Sequence, residues 1–332
     1  SGTVDATAVT TITGTAADIT TVYSSSGISG LGNEAVTLSD TTLAVSVLNT
    51  LNGNTSGPIN ASSINTLNSD TYDSLNTAYT AAGNGKITGL GDEAITVNTR
   101  IRASEANTLN SNTSGVVTAS VTDSDGTGNL SISNALTING TGNAYSITTR
   151  DRTVSTTDLL SIDQLTTITI NASRITTLTG TYASIITAYM AETAGTITGL
   201  GTNVSFITSG SITVAEANTL SAIITNNNRN LTATIANGDM ATLAGLINRS
   251  GHNLNITISD TSVSASALNT LDGKTTVSIN ASNINSLTGT AAEITTVYSS
   301  SGIWGLGNEA VILTDTSLAA SVLNTLDGNT SG

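Results

Sequence analysis

The residues best suited to chemistry in this 332-residue chain are the oxygen donors of Asp123-Ser124-Asp125-Gly126-Thr127-Gly128-Asn129. Alternating carboxylates, glycine for tight bending and a side-chain amide are the ingredients of a calcium loop. Asp123, Asp125 and Asn129 are the candidate ligands, and Ca2+ is the one cofactor that the residues suggest. Ile132 stands where an EF-hand would place its bidentate Glu. The glycine-rich nonapeptide of calcium rolls is absent. The competing reading is an exposed turn made of ordinary turn formers.

Other chemistries find less to work with. His252, the only histidine, lies between Gly251 and Asn253 and reads as a solvated loop residue. Cysteine is absent, which excludes disulfides, thiolate metal sites and cysteine nucleophiles. No Gly-x-Ser-x-Gly elbow offers a serine nucleophile. Polysaccharide cleavage needs two acids on one cleft, usually with aromatic platforms, and the chain has one Trp and one Phe. Gly30-Leu31-Gly32-Asn33-Glu34 returns at Gly89–Glu93 and Gly305–Glu309, but acidic residues follow the glycines, so a turn fits better than a phosphate cradle. Glu34 and its copies are candidates for a carboxylate ladder or a weak calcium site.

The remaining recurrent side chains read as structural. Asn49, Asn107, Asn218, Asn269 and Asn324 each open an Asn-Thr-Leu phrase. They are candidates for an internal asparagine ladder, because a buried amide left unpaired costs about 1–3 kcal/mol. Placement at helix ends facing water is the alternative. Tyr23, Tyr79, Tyr189 and Tyr298 occupy equivalent places and are read as packing, each hydroxyl reaching solvent or a carbonyl. Trp304 replaces Ser29 at a matching site, which marks that position as exposed.

The elements that hold these residues repeat. Residues 13–57 return at 288–332 with 38 of 45 positions unchanged, and a smaller unit divides the chain as 1–57, 58–115, 116–167, 168–227, 228–276 and 277–332. Ile59-Asn60-Ala61 and Val36-Thr37-Leu38 alternate with period two and read as half-buried strands. Thr15 with Asp18, and Thr213 with Glu216, are capping-box patterns at helix starts, and Gly27 and Gly53 are read as stops. Such units bury too little apolar surface alone and are expected to stack. The fold class that follows is a repeat solenoid, β-solenoid or parallel β-helix-like, with a short helix in many of about twelve coils. It is expected to run continuously through residues 1–332. Residues 116–167 and 228–250 depart most from the repeat.

Composition limits the partners. The net charge is −14, with Lys86 and Lys274 the only lysines, so there is no electrostatic footprint for nucleic acid or anionic lipid. No run of apolar residues is long enough to span a membrane, and no signal peptide is seen, which places any secretion signal outside these residues. Aromatics are 3% and charged residues 10%, yet hydrophobic residues reach 38%, too many for a disordered linker.

Thr13-Gly14-Thr15-Ala16-Ala17-Asp18, Gly30-Leu31-Gly32-Asn33-Glu34 and Leu323-Asn324-Thr325-Leu326-Asp327-Gly328 resemble repeat arrays of giant exported cell-surface proteins of marine cyanobacteria. The resemblance is weakest at 116–167. It implies an exported protein with a β-solenoid-like fold and a cell-surface or filament role, and it carries no catalytic residues. The expected function is therefore a non-enzymatic structural and adhesive segment of an extracellular surface protein, in contact with neighbouring repeats or copies of itself. The alternatives are an adhesin module gripping calcium or surface polysaccharide through 116–167 and, more distantly, a polysaccharide-cleaving β-helix enzyme.

Overall fold

The computed structural model describes residues 2–125, 127–249 and 251–332. Ser1, which matches Ser331 in sequence, and Gly126 of the acidic loop lie outside the described residues. Parallel strands in several sheets, with helices between them, make an α/β fold. The helices are α1 (Ala16–Ser24), α2 (Val45–Asn54), α3 (Tyr72–Gly83), α4 (Ala103–Asn112), α5 (Ile132–Ala135) and α6 (Thr156–Asp163). They continue as α7 (Tyr182–Ala194), α8 (Val214–Ile223), α9 (Met240–Leu243), α10 (Ala265–Asp272), α11 (Ala291–Ser299) and α12 (Ala320–Asp327). The described residues contain no helix long and apolar enough to cross a membrane.

Two compact units interleave along the chain. The first takes the residues up to Asp151, then 158–174 and 194–198, and the second takes 152–157, 175–193 and 199–332. In the first, strands Thr42–Ala44, Thr66–Ser69, Ala94–Ile101, Val117–Val121 and Ala144–Ile147 lie side by side in chain order. Leu43 stands opposite Leu67, Leu67 opposite Ile95, and Ile95 opposite Val117. All four are buried. Another sheet joins Thr11–Gly14, Ala35–Leu38, Ile59–Asn60 and Ile87–Thr88.

The second unit repeats the device. Val154 stands opposite Leu178, Leu178 opposite Phe206, and Phe206 opposite Leu231, and all are buried. A further sheet joins Ser262–Ser264, Ser286–Gly289 and Ala310–Leu313. Period-two alternation turns each large side chain inward, while parallel pairing sets like beside like about 25 residues later. The outward faces carry small polar residues such as Thr42, Thr66 and Thr96. Those polar rows explain how a chain so rich in Thr and Ser still builds an interior.

The helices begin where their caps require. The Thr15 hydroxyl accepts the Asp18 N–H, and Thr213 and Glu216 form a reciprocal capping box. Their ends differ from expectation: α1 ends at Ser24 with Ser25 already extended, two residues before Gly27. Gly53 lies inside α2 rather than stopping it, and Thr55 ends the helix by turning extended at φ −129° and ψ 145°. The Thr55 hydroxyl donates to the Glu34 carbonyl at 2.7 Å, so a bond to the preceding segment pulls the chain out of the helix. In the two divergent stretches, α5 and α9 shrink to four residues each.

Candidate functional site

The most elaborate polar geometry recurs three times at the glycine-rich turns. Glu34, Glu93 and Glu309 are buried to 1%, 0% and 1% exposure. Each follows a turn in which the first glycine, such as Gly89 at φ +84°, adopts a left-handed conformation. A Cβ on Gly89 would sit 2.6 Å from the Ser62 backbone, so glycine is required on both counts. The Glu93 Oε2 accepts the N–H groups of Gly91 at 2.7 Å and Asp92 at 3.2 Å. Tyr79, near the end of α3, donates its hydroxyl to Oε1, and Thr113 donates to the Glu93 carbonyl at 2.6 Å. Tyr23 with Glu34, and Tyr298 with Glu309, repeat the arrangement.

These bonds decide how the groups ionise. Burial opposes charge on Glu34, but the Tyr23 hydroxyl and the turn N–H groups outweigh it and hold the carboxyl below its ordinary value. Burial, and then the bond to the carboxylate, push the Tyr23, Tyr79 and Tyr298 hydroxyls well above the ordinary tyrosine value. The tyrosines thus do more than pack with a hydroxyl at solvent or a carbonyl, as sequence reading expected. Only Tyr189 follows that pattern among the four, donating to the Gly201 carbonyl at 2.8 Å. In its segment buried Val204 holds the place just before the strand, and Glu192 of α7 accepts the Gly201 N–H at 2.9 Å instead.

Two more residues occupy that buried place before a strand. Asn143 Oδ1 accepts the Val117 N–H at 2.8 Å. His252, expected as a solvated loop residue, is 1% exposed. Its Nδ1 accepts the Leu231 N–H at 3.1 Å, so Nε2 carries the proton and donates to Ser221 Oγ at 2.8 Å. Burial, and then the nearby Arg249 charge, lower its pKa to about 4. The tautomer that would let His252 take a proton from Ser221 is the one that breaks the Leu231 bond. This pair therefore serves as a link between segments rather than as a nucleophile with its base.

The asparagines named from sequence reach across segments. The Nδ2 of Asn49 donates to Ser74 O at 2.9 Å, and that of Asn269 to Glu293 O at 3.0 Å. Asn107 and Asn218 make two bonds each: Nδ2 to Thr137 O and Gly245 O at 2.8 Å, and Oδ1 from the N–H of Asn139 at 2.7 Å and Ile247 at 2.9 Å. Four of the five amides thus bond to backbone groups of a following segment. Asn324 is exposed. A matching device caps helix starts, where Asp40 accepts the Ala16 N–H at 2.7 Å and Asp315 the Ala291 N–H at 2.7 Å. A carboxylate there also complements the helix dipole.

The acidic loop is organised by an arginine. Arg150 Nη1 lies 3.0 Å from Asp123 Oδ2 and 2.8 Å from Asp125 Oδ2. Asp123 also accepts from Ser131 N at 3.1 Å and Asn134 Nδ2 at 2.7 Å, while Asn129 turns its amide to the Thr127 carbonyl at 3.3 Å. A cationic group thus lies between the two carboxylates proposed for calcium. Among the described residues, no three His, Cys, Asp or Glu side chains gather as a metal set.

Sequence reading recognised the Gly-Leu-Gly-x-Glu turns but not their tyrosine partners. The signal was present, since Tyr23, Tyr79 and Tyr298 accompany the three copies that keep Glu, and Tyr189 accompanies the copy that lacks it. Comparison with known proteins finds no match to any family model, any curated protein or any solved structure.

Proposed function

We propose that this chain is a non-enzymatic structural and adhesive repeat segment of an extracellular surface protein or filament, its segments stacked in the manner of a β-solenoid. The observation that carries the reading is the direction of the polar bonds. The Tyr–Glu closures, the asparagine clasps and the aspartate caps all tie one segment to another, and His252 and Ser221 do the same. Groups that an enzyme would aim into a cleft are here consumed in holding backbone to backbone. The absence of cysteine leaves this bonding to replace disulfides in an exposed protein.

Antibodies against the chain, applied to intact cells of its source, test the localisation. Labelling of unbroken cells or of shed filaments is expected, and labelling only after permeabilisation would overturn it. Single-molecule pulling tests the stacked architecture. Stacked repeats should yield in many small steps, because each segment contacts chiefly its neighbours, whereas a globular domain yields in one.

A further inference from the structure

Among the described residues the two longest strands, Ala94–Ile101 and Ser205–Ile212, break register at the same place. Thr96 stands opposite Thr118 and Arg100 opposite Ser120, so Val97, Asn98 and Thr99 face the single Ala119. Ile207 stands opposite Thr232 and Ser211 opposite Thr234, so Thr208, Ser209 and Gly210 face the single Ala233. Bulges are uncommon in parallel pairs and recur beside functional sites, where they re-aim a side chain. A groove opens beside each one. The polar lining of the first, of about 230 Å³, is Ser46, Asn68, Ser69, Asp70, Ser74 and Asn98. That of the second, of about 340 Å³, is Ser155, Thr157, Thr179, Thr181, Thr208 and Ser209. Ser46, Asn68, Asp70 and Asn98 correspond to Thr157, Thr179, Thr181 and Ser209 at one constant spacing along the chain. Each compact unit thus carries the same groove with a different lining.

We infer that the first groove binds one neutral pyranose ring of a glycan, through the pair Asp70 and Asn98. The inference rests on the adhesive part of the reading above and gives it a ligand, away from residues 116–167 where sequence reading placed one. Asn98 Nδ2 donates to Asp70 Oδ1 at 3.0 Å, and the Thr99 N–H donates to the Asp70 carbonyl at 3.2 Å. The bulge thus holds an amide and a carboxylate side by side, both exposed. Asp70 Oδ2 and Asn98 Oδ1 remain as acceptors for adjacent sugar hydroxyls. A bond to a carboxylate is roughly twice as strong as one between neutral groups. The Asn68 amide and the Ser46 hydroxyl supply donors in the same groove.

The lining selects the class of ligand. Asp70 repels an anion. It is the one carboxylate in the groove and already accepts an amide donor, which is too little charged oxygen for a divalent cation. Ala44 is the one apolar side chain there, so an apolar ligand finds no surface to cover. A small ligand rich in hydroxyls fits what remains. The volume falls below the roughly 300–1,000 Å³ of sites for drug-sized ligands, so the groove takes a single ring rather than a chain of them. The second groove keeps hydroxyls but has Thr181 in place of Asp70 and Ser209 in place of Asn98. Without the charged acceptor it binds the same ring more weakly.

Titration of the intact, isotope-labelled chain, followed by nuclear magnetic resonance, tests the inference. The probes are the methyl pyranosides of glucose, galactose, mannose and fucose, each standing in for a ring linked through its anomeric carbon. At least one probe is expected to shift the amide signals of residues 44–46, 68–70 and 97–99 in a saturable way. The same sugar with every hydroxyl methylated should leave them unmoved. Asp70→Ala should weaken binding at least about tenfold, the loss of a bond to a charged group, and Asn98→Ala should weaken it too. Thr181→Asp with Ser209→Asn carries the pair to the second groove, which should then bind as the first does. That gain guards against variants that lose binding because they fail to fold. No saturable shift with any probe, shifts confined to the second groove of the unaltered chain, binding that survives Asp70→Ala, or a transplanted pair that binds nothing would sink the inference. Labelling of intact cells and stepwise unfolding under force would still uphold the extracellular, stacked-segment reading in that case.

Discussion

The hydroxyl of Tyr79 and the backbone N–H groups of Gly91 and Asp92 converge on the two carboxylate oxygens of Glu93, a side chain with no solvent exposure. A helix end, a left-handed turn and a strand start are thereby fastened at one point. A buried polar group is tolerated when its hydrogen bonds are made, and here three donors share the two oxygens.

Removing one donor should cost less than removing the acceptor. Tyr79→Phe is expected to lower stability by about 1–2 kcal/mol, and Glu93→Ala by about 3 kcal/mol, because the latter leaves a hydroxyl and two N–H groups unpaired. The double variant should cost less than the sum of the singles. Urea unfolding of the four proteins measures the cycle, and strict additivity would show that the closure does not act as a unit.

His252 sets an acid limit. Its pKa is about 4 in the fold against an ordinary value of 6.5. The unfolded chain therefore takes up the proton first. The stabilisation is complete above about pH 6.5 and fades as pH falls toward 4. Glu34, held below its ordinary value, adds a loss of the same sign at lower pH. His252→Asn can keep the Leu231 bond, as Asn143 keeps that to Val117. Its melting temperature should depend less on pH between 7 and 4.5 than that of the parent, and an unchanged slope would exonerate His252.

The asparagine clasps should rank by the bonds they make. Asn218→Ala removes a donor and an acceptor bond and should cost about 2 kcal/mol, as should Asn107→Ala. Asn49 makes one bond through Nδ2, and its Oδ1 is buried without a partner, so Asn49→Ala should cost about 1 kcal/mol or less. Asn324→Ala, at an exposed position, should be nearly silent. Denaturant midpoints of the series would expose any other order.

Arg150 should make the acidic loop indifferent to calcium. Adding Ca2+ or chelator is expected to move the melting temperature by less than about 1 °C, since an ion that does not bind cannot stabilise. Arg150→Ala uncovers Asp123 and Asp125 and should create a calcium response. A calcium-dependent melting shift in the unaltered chain would favour the ligand-binding adhesin reading instead.

Gly115 and Gly53 separate two uses of glycine. A Cβ at Gly115 would lie 2.3 Å from the Glu93 carbonyl oxygen, so Gly115→Ala forces the turn open and should cost several kcal/mol. Gly53 lies within α2 with nothing within 4 Å of a Cβ, so Gly53→Ala should gain about 0.5–1 kcal/mol. Thermal melts of the two variants should shift in opposite directions.

The repeat, the strands around Val36 and Ile59, the helix starts at Thr15 and Thr213 and the exposure of Trp304 were all legible in the sequence. Each depends on neighbours along the chain: alternation turns a side chain inward or outward, and a threonine hydroxyl finds an N–H three residues on. Tertiary structure alone decided that His252 is buried, that Arg150 closes on Asp123 and Asp125, and that Tyr79 meets Glu93. It also moved the end of α2 from Gly53 to Thr55. Those outcomes depend on bonds between segments, whose geometry is set only once the turns have been bent and neighbouring strands laid in register. Periodicity reports which side of a segment faces inward, but not which polar atom of the next segment will be waiting there.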